Sequence, residues 1–254
     1  RTMRGQRVQI LDNFVDGYAT TYTLGQEGIE AFGGRDVLIR GNTVKRCAEF
    51  GINVGAAVGY ANTDCVGIRV VDNHVESCGS GAHLGSAYDV TNGAQNITDV
   101  VVRGNVIRNC NTRGIYVNTP VAGTALVNVN VSGNTITGGT EGITFFGITS
   151  DTGHRSVVAN GNTLNGQTSA STGALCVVSI CNVEATDNAI TDASGTAMYF
   201  ISTTDCRAVG NRTDSTQKQA LTGDANTRLV VRHNRFSKYG LNLAVGGLLL
   251  TTSV

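Results

Sequence analysis

Nine asparagines recur along this 254-residue chain at intervals of 23 to 32 residues, each after the same short apolar pattern. The residues five and three positions before each asparagine are apolar in every repeat, as Val100 and Val102 are before Asn105. Alternation of this kind indicates a β-strand with one buried face. A unit this short cannot bury that face alone, so the repeat predicts a solenoid. The recurring residues are Asn13, Asn42, Asn73, Asn105, Asn134, Asn162, Asn188, Asn211 and Asn234.

The repeat around Asn105 shows how one coil is built. A first strand covers 100–102, and Gly104 and Asn105 make a bend because both tolerate a left-handed backbone. Ile107 begins a second strand, and 115–117 form a third. We therefore predict an all-β parallel β-helix solenoid of about nine coils, a single domain over 1–254 with three parallel sheets. Stacked coils lie about 4.8 Å apart, so the asparagines should form a hydrogen-bonded ladder. Equivalent third strands are expected at 29–31, 52–54, 82–84, 143–145, 174–176 and 241–243.

The seven cysteines are interpreted as core residues. Three of them lie five residues after a ladder asparagine and should stack inward as free thiols. An odd number at core positions argues against a disulfide framework, and the spacings do not resemble a zinc site. Unpaired cysteines favour folding in a reducing cytosol. The stacked residues are Cys47, Cys78 and Cys110, and the alternative is a disulfide among Cys176, Cys181 and Cys206.

Charge and hydropathy restrict the possible partners. The formal net charge is zero, which gives no basic footprint for nucleic acid or an anionic membrane. No apolar run approaches the length of a membrane span, and no signal peptide is visible. The chain begins inside the repeat, so we expect either a fragment of a longer chain or an oligomer. A homotrimer that covers the outward face of the first sheet is predicted from the apolar residues at 38, 71, 101, 158 and 230.

The third sheet carries the candidate functional site. The middle residue of each third strand faces outward, which gives the series Glu30, Asn53, His83, Tyr116, Thr144, Leu175 and Asn242. The first four are polar and belong to consecutive coils, about 4.8 Å apart. The longest insertions, at 55–67, 85–99 and 118–128, follow these strands. Because solenoid function usually lies on one face and its insertions, we expect a groove there.

The residue types in this groove suit acid–base chemistry on a sugar chain. Elimination next to a uronate carboxylate needs a group that neutralises the carboxylate, a base and an acid. Asn53 or Arg113 would neutralise, His83 would be the base and Tyr116 the acid. Tyr60, Tyr88, Asp89 and Arg155 would contribute substrate contacts from the loops. The rival chemistry is glycoside hydrolysis by two carboxyl groups, for which Glu30 and Glu141 are candidates. A non-catalytic receptor-binding or structural β-helix is the third hypothesis.

The stretches VVVRGNVI from Val100 and GIYV from Gly114, together with the asparagine ladder, resemble the right-handed parallel β-helix, or pectin-lyase-like, superfamily. The resemblance covers nearly the whole chain. It implies a right-handed helix, and its bacteriophage tailspike depolymerases imply a homotrimer acting on polysaccharide. Such a protein would be an extracellular virion component or a secreted bacterial enzyme. The superfamily includes lyases, hydrolases and non-enzymatic adhesins. No cofactor is expected, apart from a Ca²⁺ ion that the groove could hold.

Overall fold

A computed structural model describes residues 2–3, 6–17, 27–32, 34–55, 64–85, 96–119, 124–147, 153–169 and 171–239. At positions 2, 3, 32, 83, 85 and 239 only the backbone is described. No helix long and apolar enough to span a membrane occurs in these residues.

Within the described residues, 27 short strands form three parallel sheets of nine strands each. Sheet A contains the third strands of the repeat, sheet B the first strands and sheet C the second strands. Sheet A comprises β1 (Thr2–Met3), β4 (Ile29–Phe32), β7 (Phe50–Gly55), β10 (Ser80–Gly85), β13 (Arg113–Thr119), β16 (Glu141–Gly147), β19 (Gly173–Val178), β22 (Thr196–Ile201) and β25 (Leu221–Asp224). Sheet B comprises β2 (Gln9–Leu11), β5 (Arg35–Arg40), β8 (Cys65–Val71), β11 (Ile97–Arg103), β14 (Leu126–Ser132), β17 (Arg155–Asn160), β20 (Val183–Thr186), β23 (Arg207–Val209) and β26 (Val230–Arg232). Sheet C comprises β3 (Phe14–Asp16), β6 (Thr43–Lys45), β9 (His74–Glu76), β12 (Val106–Arg108), β15 (Thr135–Thr137), β18 (Thr163–Asn165), β21 (Ala189–Thr191), β24 (Arg212–Thr216) and β27 (Arg235–Tyr239).

The core runs along the interior of the solenoid, between the three sheets. Val100 and Val102 from sheet B, Ile107 from sheet C, and Ile115 and Val117 from sheet A are all buried, and the same pattern repeats in the neighbouring coils. Each inward residue lies beside its equivalents on the adjacent strands, so the alternation in sequence becomes columns of apolar side chains. The predicted all-β parallel β-helix is confirmed.

The asparagine ladder is continuous from Asn13 to Asn234. Each asparagine donates from Nδ2 to the Oδ1 of the next, at 2.9–3.0 Å. The same Oδ1 also accepts the backbone N–H of the preceding asparagine. The ladder therefore satisfies buried polar groups at the bend between sheets B and C.

The left-handed residue at this bend is the one before the asparagine. Gly104 has a φ of 67° and Asp72, at the equivalent position one coil earlier, has a φ of 54°. Asn105 is not left-handed, which corrects the expectation that both residues of the pair share that conformation. The carboxylate of Asp72 lies against Gly104, where an added Cβ would stand 2.3 Å from Asp72 Oδ1.

We expect Gly104→Ala to destabilise the protein more than Gly133→Ala. Both glycines have positive φ, which costs alanine about 1–2 kcal/mol. A Cβ at Gly133 meets nothing within 4 Å, whereas one at Gly104 displaces the Asp72 carboxylate. Chemical unfolding of the two variants should differ by about 1 kcal/mol. Equal losses would mean that the Asp72 contact contributes nothing.

The stacked cysteines are confirmed. Cys47, Cys78 and Cys110 are buried on consecutive coils, and the backbone N–H of Cys47 lies 3.5 Å from Cys78 Sγ. All seven cysteines are free and buried, so the alternative disulfide among the later three is not formed. The thiols act as small apolar groups in the core.

One predicted third strand was placed one residue out of register. Leu175, expected to face outward, is fully buried, and Cys176 takes the position beside Thr144. The reason is Ala174, which occupies the place of Gly142 in the preceding coil rather than that of Ile143. Three further strands of sheet A, β1, β22 and β25, were not predicted. The expected strand at 241–243, with Asn242, lies outside the described residues.

The predicted apolar stripe on the outside of sheet B is interrupted. Residues that pair across adjacent strands alternate in character: Arg69 lies between Leu38 and Val101, and Asn130 follows. Val71 belongs to another column and is buried. The stripe therefore gives weaker support to a homotrimer than the sequence suggested, and the trimer stays a prediction.

Candidate functional site

The outward face of sheet A carries a row of polar residues at matching positions. Glu30 pairs with Asn53, Asn53 with His83, His83 with Tyr116, and Tyr116 with Thr144. Each step is one strand, or about 4.8 Å. The structure thus brings four predicted site residues together along one line. The row continues through Cys176, Tyr199 and Thr222.

Arg113 is held on this face by two contacts. It lies beside Glu141 on the neighbouring strand, and its Nε donates to Glu141 Oε2 at 2.8 Å. Its guanidinium carbon also lies 4.3 Å from the centroid of the Tyr116 ring, in cation–π contact. Since 36% of the Arg113 side chain is exposed, the cation is held in one place yet reaches the surface.

The Glu141 carboxylate is largely buried and hydrogen-bonded on both oxygens. Thr144 Oγ1 donates to Oε2 at 2.6 Å, and Thr172 Oγ1 donates to Oε1 at 2.7 Å. Burial raises the pKa of Glu141, but these hydrogen bonds and the charge of Arg113 outweigh it, so the pKa lies below its ordinary value. Glu141 is therefore an ionised anchor for Arg113 and is unsuited to donate a proton at neutral pH.

Glu141→Gln should lower stability in a pH-dependent way. A carboxyl whose folded-state pKa is depressed contributes stability above its unfolded pKa of about 4.3 and loses it as pH falls through the lower folded value. We expect the variant to be about 1–3 kcal/mol less stable at pH 7, because charged hydrogen bonds are lost. Urea unfolding at several pH values should show the difference shrinking below about pH 4. A gap that stays constant down to pH 3 would contradict an ionised Glu141.

The two carboxyl groups considered for hydrolysis are not close together. Glu30 lies on β4 and Glu141 on β16, four strands apart in sheet A. That separation is about 19 Å, whereas the carboxyl pair of a glycoside hydrolase lies about 5–10 Å apart. Glu30 and Glu141 therefore do not form one catalytic pair.

The remaining predicted contacts divide into two groups. Arg155 begins β17 of sheet B and pairs with Val127, so it does not belong to the sheet A row. Tyr60, Tyr88 and Asp89 lie outside the described residues, as does most of the insertions predicted to wall the groove.

Sequence analysis missed two residues of this cluster. Thr172 precedes the third strand of the next coil and bonds Glu141 across the coils, a contact that no local pattern reveals. Cys176 faces the same side as Tyr116, but burial raises the pKa of its thiol to about 12, so it is no nucleophile at neutral pH.

In the described part of the chain, no group of three or more His, Cys, Asp or Glu residues could hold a metal ion.

Comparison with known proteins gives little further information. No family model matches the chain, and no curated protein matches it. Among solved structures, it is similar to the catalytic unit of a thermostable GH87 alpha-1,3-glucanase from Streptomyces thermodiastaticus, with a TM-score of 0.39 and 12% sequence identity. The alignment covers 96% of this chain and 49% of the glucanase chain, so this chain spans about half the length of the glucanase catalytic unit.

Proposed function

We propose that this protein cleaves an acidic polysaccharide by β-elimination along the outward face of sheet A. The observation that carries the proposal is the placement of Asn53, His83 and Tyr116 on three adjacent strands, with the Arg113 guanidinium fixed against the Tyr116 ring. These residue types supply the three roles that elimination needs: a carboxylate partner, a base and an acid.

Arg113 is the better partner for the substrate carboxylate. Its Nε bond to Glu141 sets the orientation of the guanidinium before substrate arrives, and preorganised charge is what stabilises a developing negative charge. A guanidinium carries five N–H donors, so one bond to Glu141 is compatible with a second carboxylate. Asn53 lies two strands away and is only 5% exposed, so it is less suited than Arg113 to meet a substrate carboxylate.

His83 and Tyr116 would move the protons. The base removes the proton from the carbon next to the carboxylate, and the electron pair forms a carbon–carbon double bond as the glycosidic C–O bond breaks. The acid gives its proton to the leaving oxygen, and exchange with solvent restores both groups. His83 is the proposed base because neutral imidazole accepts a proton near neutral pH. Tyr116 is the proposed acid because it lies on the adjacent strand.

The test is a screen of alginate, polygalacturonate and uronate-containing capsular polysaccharides, followed by two readouts. Elimination leaves an unsaturated sugar that absorbs ultraviolet light and also creates a reducing end. We expect both signals to rise together on one acidic polymer. Reducing ends without ultraviolet absorbance would replace the lyase with a hydrolase. Binding without cleavage would favour a receptor-binding protein, and neither binding nor cleavage would favour a structural β-helix.

A further inference from the structure

Sheet B carries a surface groove at the end of the solenoid where β17, β20, β23 and β26 pack. The groove has a volume of about 510 Å³ and lies on a different sheet from the row that contains Tyr116. Its polar lining comes from two parallel columns of side chains: Ser156, Asn182, Asp205 and Arg228 in one, Glu184 and Arg207 in the other.

Backbone geometry creates the first column. The backbone is left-handed at all four of its residues, with φ between 53° and 58°. Asn182, Asp205 and Arg228 each precede a strand of sheet B by one or two residues, and Ser156 is the second residue of β17. One coil lies above the next, so the column runs parallel to the solenoid axis. Four coils contribute, and three strand spacings give a length of about 14 Å.

The second column is the outward row of sheet B itself. Val158 pairs with Glu184, Glu184 with Arg207, and Arg207 with Val230. Apolar residues thus stand at both ends of the row, and charged residues stand in the middle. The floor includes Cys206, which is fully buried.

The charges of the groove are balanced by two ion pairs. Arg207 Nη1 lies 3.5 Å from Glu184 Oε1, and Arg228 Nη2 lies 2.5 Å from Asp205 Oδ2. Two arginines against two carboxylates give the lining no formal net charge. Both arginine side chains are more than half exposed, at 63% and 71%, so their donors are accessible to a ligand.

We infer that this groove binds a short, uncharged oligosaccharide. Closely spaced donors and acceptors match the hydroxyl groups of a sugar, which both donate and accept hydrogen bonds. A lining without net charge provides no attraction for a polyanion. An apolar ligand would bury the ion pairs and remove their hydrogen bonds to water without supplying others. The groove is therefore a second carbohydrate site, separate in place and in ligand charge from the proposed active site.

Saturation-transfer NMR and calorimetry with maltotriose and cellotriose would test the inference, with trigalacturonate as the charged comparison. We expect at least one neutral trisaccharide to bind with a Kd on the order of a millimolar. Because no net charge is involved, raising salt from 50 to 300 mM should change this affinity less than twofold.

Variants locate the binding. Glu184→Gln and Arg207→Ala should each weaken it at least tenfold, whereas Arg69→Ala should not. Arg69 is the matched control because it is an exposed arginine in the same outward row of sheet B, beyond the groove. Unchanged melting temperatures would exclude unfolding as the cause, and if Arg207→Ala does unfold, the Glu184→Gln result decides.

Three results would overturn the inference: no binding of either neutral trisaccharide, binding of trigalacturonate instead, or equal losses in Arg69→Ala. The test is independent of the proposed active site. His83→Ala should leave trisaccharide binding on sheet B intact, whether or not sheet A proves catalytic.

Discussion

Replacing His83 with alanine is expected to slow cleavage of the true substrate by about 10²–10⁴-fold, the usual loss when a positioned general base is removed. The strand register places His83 directly between Asn53 and Tyr116, next to the proposed acid. Initial rates from ultraviolet absorbance, compared at equal folded concentration, measure the effect. Tyr116→Phe should lower the rate as well, because it keeps the ring under Arg113 but removes the proton donor.

His74→Ala is the matched control for His83→Ala. His74 lies on sheet C, where its Nε2 contacts Glu76. The His74→Ala variant should therefore retain full activity. If His83→Ala and Tyr116→Phe both keep full activity while Glu141→Gln abolishes it, catalysis depends on the carboxylate and the elimination mechanism is wrong. Equal losses in His74→Ala would point to a general effect on folding.

Asn105→Ala is expected to produce a large loss of stability, because Asn105 is buried inside the ladder. Asn105 Oδ1 accepts from the backbone N–H and the Nδ2 of Asn73, and its own Nδ2 donates to Val70 O and Asn134 Oδ1. Alanine would leave the buried Asn73 N–H without this partner, at a cost of about 3 kcal/mol. For a chain of this size, the melting temperature should fall by roughly 10 °C.

The control for the ladder substitution is Asn165→Ala. Asn165 lies at an exposed position of β18, where surface substitutions change stability by about 0.5 kcal/mol or less. Activity per folded molecule should be unaffected in both variants. If Asn105→Ala has the same melting temperature as the wild type, the stacked amides do not contribute to holding the coils together.

The fold could be predicted because its information is local and repeated. Alternation of apolar residues fixes which face of a strand is buried, and the asparagine marks the same bend in every coil. The error at Ala174 has a physical cause of the same kind. An alanine satisfies either the small position at the start of a sheet A strand or a core position, so the pattern alone left the register ambiguous. In the structure Leu175 is the residue that fills the core, and this fixes the register of the strand.

The candidate site was less predictable because its contacts join different coils. The row from Glu30 to Tyr116 follows from the repeat, so the sequence placed it correctly. The Arg113–Glu141 pair and the bond from Thr172 depend on the side-chain geometry of three successive coils. Sequence reasoning treated Glu141 as a catalytic carboxyl for this reason, whereas its partners indicate an anchor for Arg113.

The most direct test of whether substrate binds on sheet A is hydrogen–deuterium exchange in the presence of an acidic oligosaccharide. The oligosaccharide is prepared from the polymer that the protein cleaves or binds. His83→Ala protein allows the measurement without turnover. Ligand should slow exchange in peptides that contain β7, β10 and β13, and leave β23 and β26 of sheet B unchanged. Protection confined to sheet B or sheet C, or no protection on sheet A at a saturating concentration, would contradict the account.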